Sequence, residues 1–139
     1  MGKPNDKEPY YRHQHSCFLL QYHLVLVTKY RKDVIQNELK NELINYTTNY
    51  FKERKLNIIE INTDIDHIHI LFDAPPNINL AMFINAYKSA SSRYIRKNFT
   101  EYLSKYYWEP LFWSKSYFLG TVSDKSAEIV QKYIQNRGL

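Results

Sequence analysis

The chain has a single cysteine, Cys17, in 139 residues. That excludes an internal disulfide framework and a multi-cysteine zinc site, and it suits a reducing compartment. No apolar stretch approaches the roughly 20 residues of a membrane-spanning helix. The opening MGKPNDKEPYYRHQH is polar and lacks the apolar core of a secretory signal. A cytoplasmic protein without a membrane partner is therefore expected. Internal repeats and low-complexity tracts are also missing. Acidic residues are the scarcer charge: 14 Asp and Glu against 19 Lys and Arg give a net +5 and a pI near 9.2. That balance is compatible with a polyanionic partner, but many unrelated proteins share it.

What is present suffices for one folded domain. The hydrophobic share is 44% and the aromatic share 16%, and 16.8 kDa is enough chain to bury one sizeable core. Residues 1–15 read as a flexible arm and residues 16–139 as the domain. SCFLLQYHLVLVTKYR (16–31) is the first strand expected from its β-branched and aromatic content. From Val34 to Lys55 the spacing turns helical, with Ile35, Leu39, Leu43, Tyr46 and Tyr50 recurring every three or four residues. LNIIEINT (56–63) and HIHILF (67–72) predict two strands joined by a hairpin. Asn79 is a good N-cap for a second helix to about Tyr102. LFWSKSYFLG (111–120) predicts a fourth strand, and Ser123 or Asp124 suits the start of a last helix, KSAEIVQKYIQN. The order is βαββαβ plus a C-terminal helix. That is a ferredoxin-like (RRM-like) α+β pattern: an antiparallel sheet with helices on one face, leaving the other face for something else.

The chemistry-bearing motif is DHIHILFD (66–73). Successive strand residues point to opposite faces, so His67, His69 and Leu71 share one face and Ile68, Ile70 and Phe72 the other. Two imidazoles at adjacent same-face positions can reach one divalent cation. His13-Gln14-His15 has the same spacing but sits in the polar arm, where no strand fixes it. Spacing alone leaves two readings of 67/69 open, a ligand pair or two solvent-facing strand histidines. His23, on the first strand, reads as a structural histidine. Zinc would want further Cys or His ligands, and none is obvious. A site with few protein ligands and room for water or phosphate oxygens suits Mg²⁺ or Mn²⁺ acting as a Lewis acid.

An activated phosphodiester needs a nucleophile, and the chain has 13 tyrosines. Tyr22, Tyr30, Tyr46, Tyr50, Tyr87 and Tyr94 lie in strand or helix patterns where ring packing explains them. Tyr133, four residues after Ile129 on the last helix, suits either packing or chemistry. YHLVLVTKYRK (22–32), DHIHILFD (66–73), FINAYKSASSRYI (83–95), LFWSKSYFLGTVS (111–123) and VQKYIQN (130–136) stand, however, in the order and spacing of a known family. Over residues 16–137 the chain resembles the single-tyrosine HUH transposases, the TnpA proteins of the smallest insertion sequences.

The resemblance implies a ferredoxin-like fold with a C-terminal helix bearing the nucleophile. His67 and His69 would bind Mg²⁺ or Mn²⁺. Tyr133 would attack a phosphate of single-stranded DNA, leaving a 5′-phosphotyrosine and a free 3′-OH without nucleotide hydrolysis or a nucleotide cofactor. It further implies recognition of DNA hairpins near element ends, and a homodimer in which the tyrosine helix of one subunit completes the site of the other. Gly120 to Asp124 would be the hinge for that helix. The family usually places Gln four residues after the tyrosine as a third metal ligand. Here that position is Arg137, a cation that cannot ligate. Three readings stay open: Asn136, on the tyrosine's helix face, substitutes as ligand, water fills the place, or metal affinity is reduced and the activity impaired.

Lys88, Arg93, Arg96 and Lys97 on the second helix, with Lys29, Arg31 and Lys32 at the end of the first strand, make a candidate phosphate track. Tyr106, Tyr107 and Trp108 are candidates for stacking unpaired bases. Two alternatives stand beside the transposase: a related HUH endonuclease that processes repeated palindromes, and a non-catalytic RRM-like nucleic-acid-binding module. The RNP strand motif of such modules is absent.

Overall fold

In the computed structural model, which describes residues 11–13, 16–18, 20–123 and 126–136, a short antiparallel ribbon precedes the main sheet. It pairs β1 (Tyr11–His13) with β2 (Ser16–Phe18), so part of the expected flexible arm is strand and His13, expected to be fixed by none, is paired with Ser16. The main sheet is built from β3 (Leu20–Thr28), β4 (Asn57–Asp64), β5 (His67–Ala74) and β6 (Trp113–Thr121). Its order is β4-β5-β3-β6 with every pair antiparallel. This is the ferredoxin-like arrangement expected from the order of elements.

Alternation makes two faces of different character. Leu24 and Leu26 on β3 pair with Ile70 and Ile68 on β5, and all four are buried together with Phe72. They meet α1 (Asn37–Glu53) and α2 (Leu80–Asn98), whose Leu39, Leu43, Phe51, Phe83, Ile84 and Tyr87 complete the core. Phe51 packs edge-on to Phe72, Phe83 and Tyr87, the geometry ring quadrupoles favour. Polar groups taken into this core are paired. The Tyr87 hydroxyl meets Thr47, and Trp113 Nε1 donates to Ser91 Oγ at 2.9 Å, which avoids the cost of orphaned donors.

The other face carries His23, Val25 and Val27 of β3 beside Leu71, His69 and His67 of β5. Part of it is covered by α4 (Ser126–Asn136), which packs against β3 and β6. Val130, Tyr133 and Ile134 of α4 form a small second core with Val25, Val27 and Phe118.

Several boundaries differ from the sequence expectation, each for a local reason. The first strand stops at Thr28, where Lys29–Arg31 form a 3-10 turn with Tyr30 and Arg31 at φ 59° and 52°. The first helix starts at Asn37, because Val34 and Ile35 are buried ahead of it and the Ile35 N–H donates to the Ile65 carbonyl. Asn79 caps α2 as expected, its side chain accepting from the Met82 N–H at 3.1 Å. The helix then breaks at Phe99 (φ −133°, ψ 41°) before the short α3 (Thr100–Ser104). Thr100 Oγ1 and Asn98 Nδ2 take up the carbonyls of Arg96 and Tyr94 there, so side chains satisfy the helix end. No helix among the described residues is long and apolar enough to cross a membrane.

Candidate active site

The paired histidines lie at the middle of the sheet, where two strands hold each of them. β5 is hydrogen-bonded to β3 on one side and β4 on the other, with His69 opposite Val25 and Asn62, and His67 opposite Val27 and Asp64. Backbone pairing on both sides fixes the Cα positions, and side-chain partners then fix the rings.

Each ring has a different partner. His67 Nδ1 donates to Asp66 Oδ1 at 2.9 Å, and Arg31 Nε donates to Asp66 Oδ2, also at 2.9 Å. Burial, the largest single influence on Asp66, pushes its pKa up. The bonds from His67 and Arg31 and the guanidinium charge outweigh it, so the net shift is downward. Asp66 is therefore an ionised acceptor for the Nδ1–H of His67, which leaves Nε2 as the ring nitrogen available to a ligand. Arg31 reaches Asp66 because the left-handed backbone at Tyr30 and Arg31 turns the chain back over the sheet. Its Nη1 also donates to the Ile134 carbonyl of α4 at 3.1 Å.

His69 is held by a residue that sequence reasoning took as merely structural. Its Nε2 lies 2.8 Å from His23 Nδ1, and His23 Nε2 lies 3.1 Å from Ser126 Oγ at the start of α4. Ser126 Oγ gives its one proton to the Ser123 carbonyl at 2.9 Å, so it accepts from His23 Nε2–H. His23 Nδ1 in turn accepts from His69 Nε2–H, which leaves the His69 lone pair on Nδ1. Burial lowers the pKa of both rings, and the neighbouring His23 lowers that of His69 further, against the opposing charge of Glu60. Both are neutral near pH 7, as a ligand imidazole must be.

Tyr133 meets the same face. It packs on Val25 and Val27, the cross-strand neighbours of His69 and His67, with its ring 5.3 Å from that of Phe118. Its hydroxyl is buried and has no hydrogen-bond partner among the described residues. Gly120 makes room for this packing. A Cβ there would stand 2.8 Å from Phe118 Cζ, so any larger residue pushes the Phe118 ring from its place under Tyr133. Gly120 is itself a strand residue paired with His23, and Val122 N still bonds the Gln21 carbonyl. Any hinge between β6 and α4 therefore begins after Val122. Asp124 lies outside the described residues.

A divalent cation fits this donor set. Two imidazoles each offer one lone pair, and an orphaned hydroxyl faces the same sheet surface. Among the described residues no group of three or more His, Cys, Asp or Glu is arranged to hold a metal. Any further ligands of a cation held here would have to come from an amide, water or phosphate. Asn136 is described only as the last residue of α4. Arg137 lies outside the described residues, as do His15 and most of the N-terminal arm.

The basic residues do not share that surface. Arg93, Arg96 and Lys97 line a cavity of about 520 Å³ with Thr100, Ser104 and Trp108. This cavity belongs to the helix layer, on the opposite side of the sheet from the histidines. Trp108 is 88% exposed there. Tyr107 is buried with its hydroxyl on the Lys29 carbonyl, and Tyr106 is part-buried against Tyr102, so Trp108 is the most exposed ring of the three. Lys88 is half-buried, and its Nζ donates to the Lys115 carbonyl at 2.7 Å. Burial and then the charge of Lys29 hold its pKa down, which puts the two lysines near each other. Arg31 stands apart, bound to Asp66 and α4.

Comparison with known proteins gives the family and supports the fold. Residues 16–137 match the family model described as "Transposase IS200 like". The chain is 31% identical over 122 residues to the ISDra2 transposase TnpA of Deinococcus radiodurans, covering 86% of this chain and 85% of that one. It is 28% identical over 123 residues to the transposase of insertion sequence element IS200 of Salmonella typhimurium, covering 88% and 80%. A crystal structure assigned as a transposase from Deinococcus radiodurans R1 superposes with a TM-score of 0.82 at 28% identity, covering 91% of this chain and 96% of the other. With the family pattern spanning nearly the whole described fold, and the paired histidines and Tyr133 inside it, the chain belongs to the IS200-like transposases, a family of DNA-cleaving and strand-transferring enzymes.

Proposed function

We propose that this transposase cleaves and rejoins single-stranded DNA at hairpin-marked element ends, with Tyr133 as the nucleophile and His67 and His69 as ligands of Mg²⁺ or Mn²⁺. The observation that carries the reading is the Tyr133 hydroxyl, a buried polar atom without a described partner on a helix docked to the two-histidine face. A hydroxyl kept only for packing would be bonded or absent, because an orphan costs about 1–3 kcal/mol.

Tyr133 Oη attacks the phosphorus of one backbone phosphodiester as the bond to the 3′ oxygen breaks. The phenolic proton passes to solvent, and the departing 3′ oxygen takes one up. The phosphate is left joined to Tyr133 and to the 5′ oxygen of the downstream nucleotide. The ester energy is thereby retained, and attack by a 3′-hydroxyl of another end restores the strand and frees Tyr133 without nucleotide hydrolysis. When bound, the divalent cation supplies Lewis-acid polarisation of the phosphate and neutralises its charge. Asp66 would hold His67 with Nε2 free for the cation, and Asn136 would offer an amide oxygen as third ligand in place of the glutamine that Arg137 replaces. Arg93, Arg96 and Lys97, with Lys88 and Lys29 beside them, hold the phosphates of the hairpin, and Trp108 stacks on an unpaired base. Arg31 serves the site by fixing Asp66. In a homodimer, the tyrosine helix of a second copy takes the position that α4 occupies here.

Incubating the protein with Mn²⁺ and a labelled single-stranded hairpin oligonucleotide tests this. A covalent adduct on denaturing gels, lost in Tyr133→Phe and His67→Ala, is the expected result. An adduct that survives Tyr133→Phe rejects the assignment. Binding without an adduct under any divalent cation favours a non-catalytic module.

A further inference from the structure

Two hydrogen-bonded chains leave the paired histidines, and both end on α4. One runs from His67 through Asp66 and Arg31 to the Ile134 carbonyl, next to Tyr133. The other runs from His69 through His23 to Ser126 Oγ, at the first residue of the helix. The links are between 2.8 and 3.1 Å, with the Ser126 hydroxyl itself anchored on the Ser123 carbonyl. Neither chain involves the basic cavity on the helix layer, and neither is needed to form the sheet.

We infer that α4 orients both metal-ligand histidines as well as carrying the nucleophile, with His23 and Arg31 as the positioning residues that connect them. This rests on the proposed roles of His67, His69 and Tyr133. An imidazole on a strand turns about its last side-chain bond unless its second nitrogen is held, and holding it typically changes metal affinity by about 10- to 100-fold. Here Asp66 and His23 do the holding, and each keeps its own position through a group on the helix. Seating the helix therefore sharpens both ligands at once. By linkage, the cation must strengthen helix seating by the same factor. A helix supplied by a second copy would present the same hydroxyl and the same carbonyl, so the device works whichever subunit provides the tyrosine. The consequence is that the cation is held more tightly while a tyrosine is in place to use it, and more weakly once the helix departs.

Two measurements on the full chain without DNA test this. The first is Mn²⁺ affinity, read from the free-ion resonance signal. His23→Phe and Ser126→Ala should each weaken binding by about 10-fold, although Ser126 has no bond to either ligand, and Ser126→Thr, which keeps the hydroxyl, should recover most of it. The second is hydrogen exchange of the α4 amides in the unmodified protein, which saturating Mn²⁺ should slow. Native-like affinity in both variants, or α4 exchange that Mn²⁺ leaves unchanged or accelerates, overturns the coupling. If the native protein binds no Mn²⁺, or His67→Ala binds it equally well, the metal site fails and the coupling falls with it. The two failures are thus told apart.

Discussion

Replacing Tyr133 by Phe separates chemistry from packing more cleanly than any other substitution in the site. Only the hydroxyl is removed. The ring keeps its contact with Phe118 at 5.3 Å and its place against Val25, Val27, Val130 and Ile134. The hydroxyl it loses is buried and finds no partner among the described residues, so the folded state gives up water hydrogen bonds there and gains none. Removing such a group relieves a penalty of about 1–3 kcal/mol. The ring as a whole is only half-buried, so the low end, about 1 kcal/mol, is the sensible expectation. For 139 residues, an unfolding entropy near 2.1 cal/mol/K per residue gives about 290 cal/mol/K, and 1 kcal/mol becomes a rise in Tm of about 3 °C. The assay is scanning calorimetry of both proteins without divalent cations, beside the covalent-adduct gel. Loss of the adduct with an unchanged or higher Tm is the expected pair of results, and it is the signature of a residue kept for function against stability. A fall of several degrees would refute the reasoning, since it would mean that the hydroxyl has a structural partner.

Three further predictions concern Asp66, Asn136 and the basic helix face. Asp66→Asn removes the charge that accepts from both His67 and Arg31 in a mostly buried pair. It should lower stability by about 2 kcal/mol, read as a lower urea midpoint at constant slope, and an unchanged midpoint would show that the pair is solvated. Asn136→Ala should weaken Mn²⁺ binding if its amide is the third ligand, and an identical titration curve would exclude it. Hairpin binding should weaken steeply with salt. Arg96→Ala should reduce the slope of log affinity against log salt by about one unit without altering sequence preference; a slope equal to that of the native protein would remove Arg96 from the phosphate track.

What could be read from the sequence was whatever its signal placed within one element. The alternation of Ile68, Ile70 and Phe72 against His67 and His69 is local, and so is the Asn79 cap, and both appear in the structure. Boundaries failed where tertiary packing overrode a local period. Val34 and Ile35 have helical spacing but are buried ahead of the helix, one of them tied by its backbone to Ile65. Tyr107 looks like a stacking aromatic until its hydroxyl is found on the Lys29 carbonyl, 78 residues away.

The same distinction explains why only half of the candidate site was legible. A histidine pair two residues apart announces itself, whereas a positioning residue is defined by partners the sequence cannot bring near. His23 meets His69 across 46 residues and Ser126 across 103. Arg31 shows only its charge in the sequence, which is why it was grouped with the phosphate-binding cations. Its partners lie 35 and 103 residues on, and they turn that charge inward to Asp66 and the helix end. Nor does the sequence say which side of a sheet a helix covers. The cations of α2 and the histidines of β5 consequently fall on opposite layers, and one DNA strand that uses both must pass around the sheet to reach Tyr133. A hairpin stem alone, gripped on the helix layer, would leave Tyr133 without a phosphate. On the roles proposed for these residues, a substrate needs single-stranded DNA beyond the stem, and trimming that extension should abolish the adduct while binding persists.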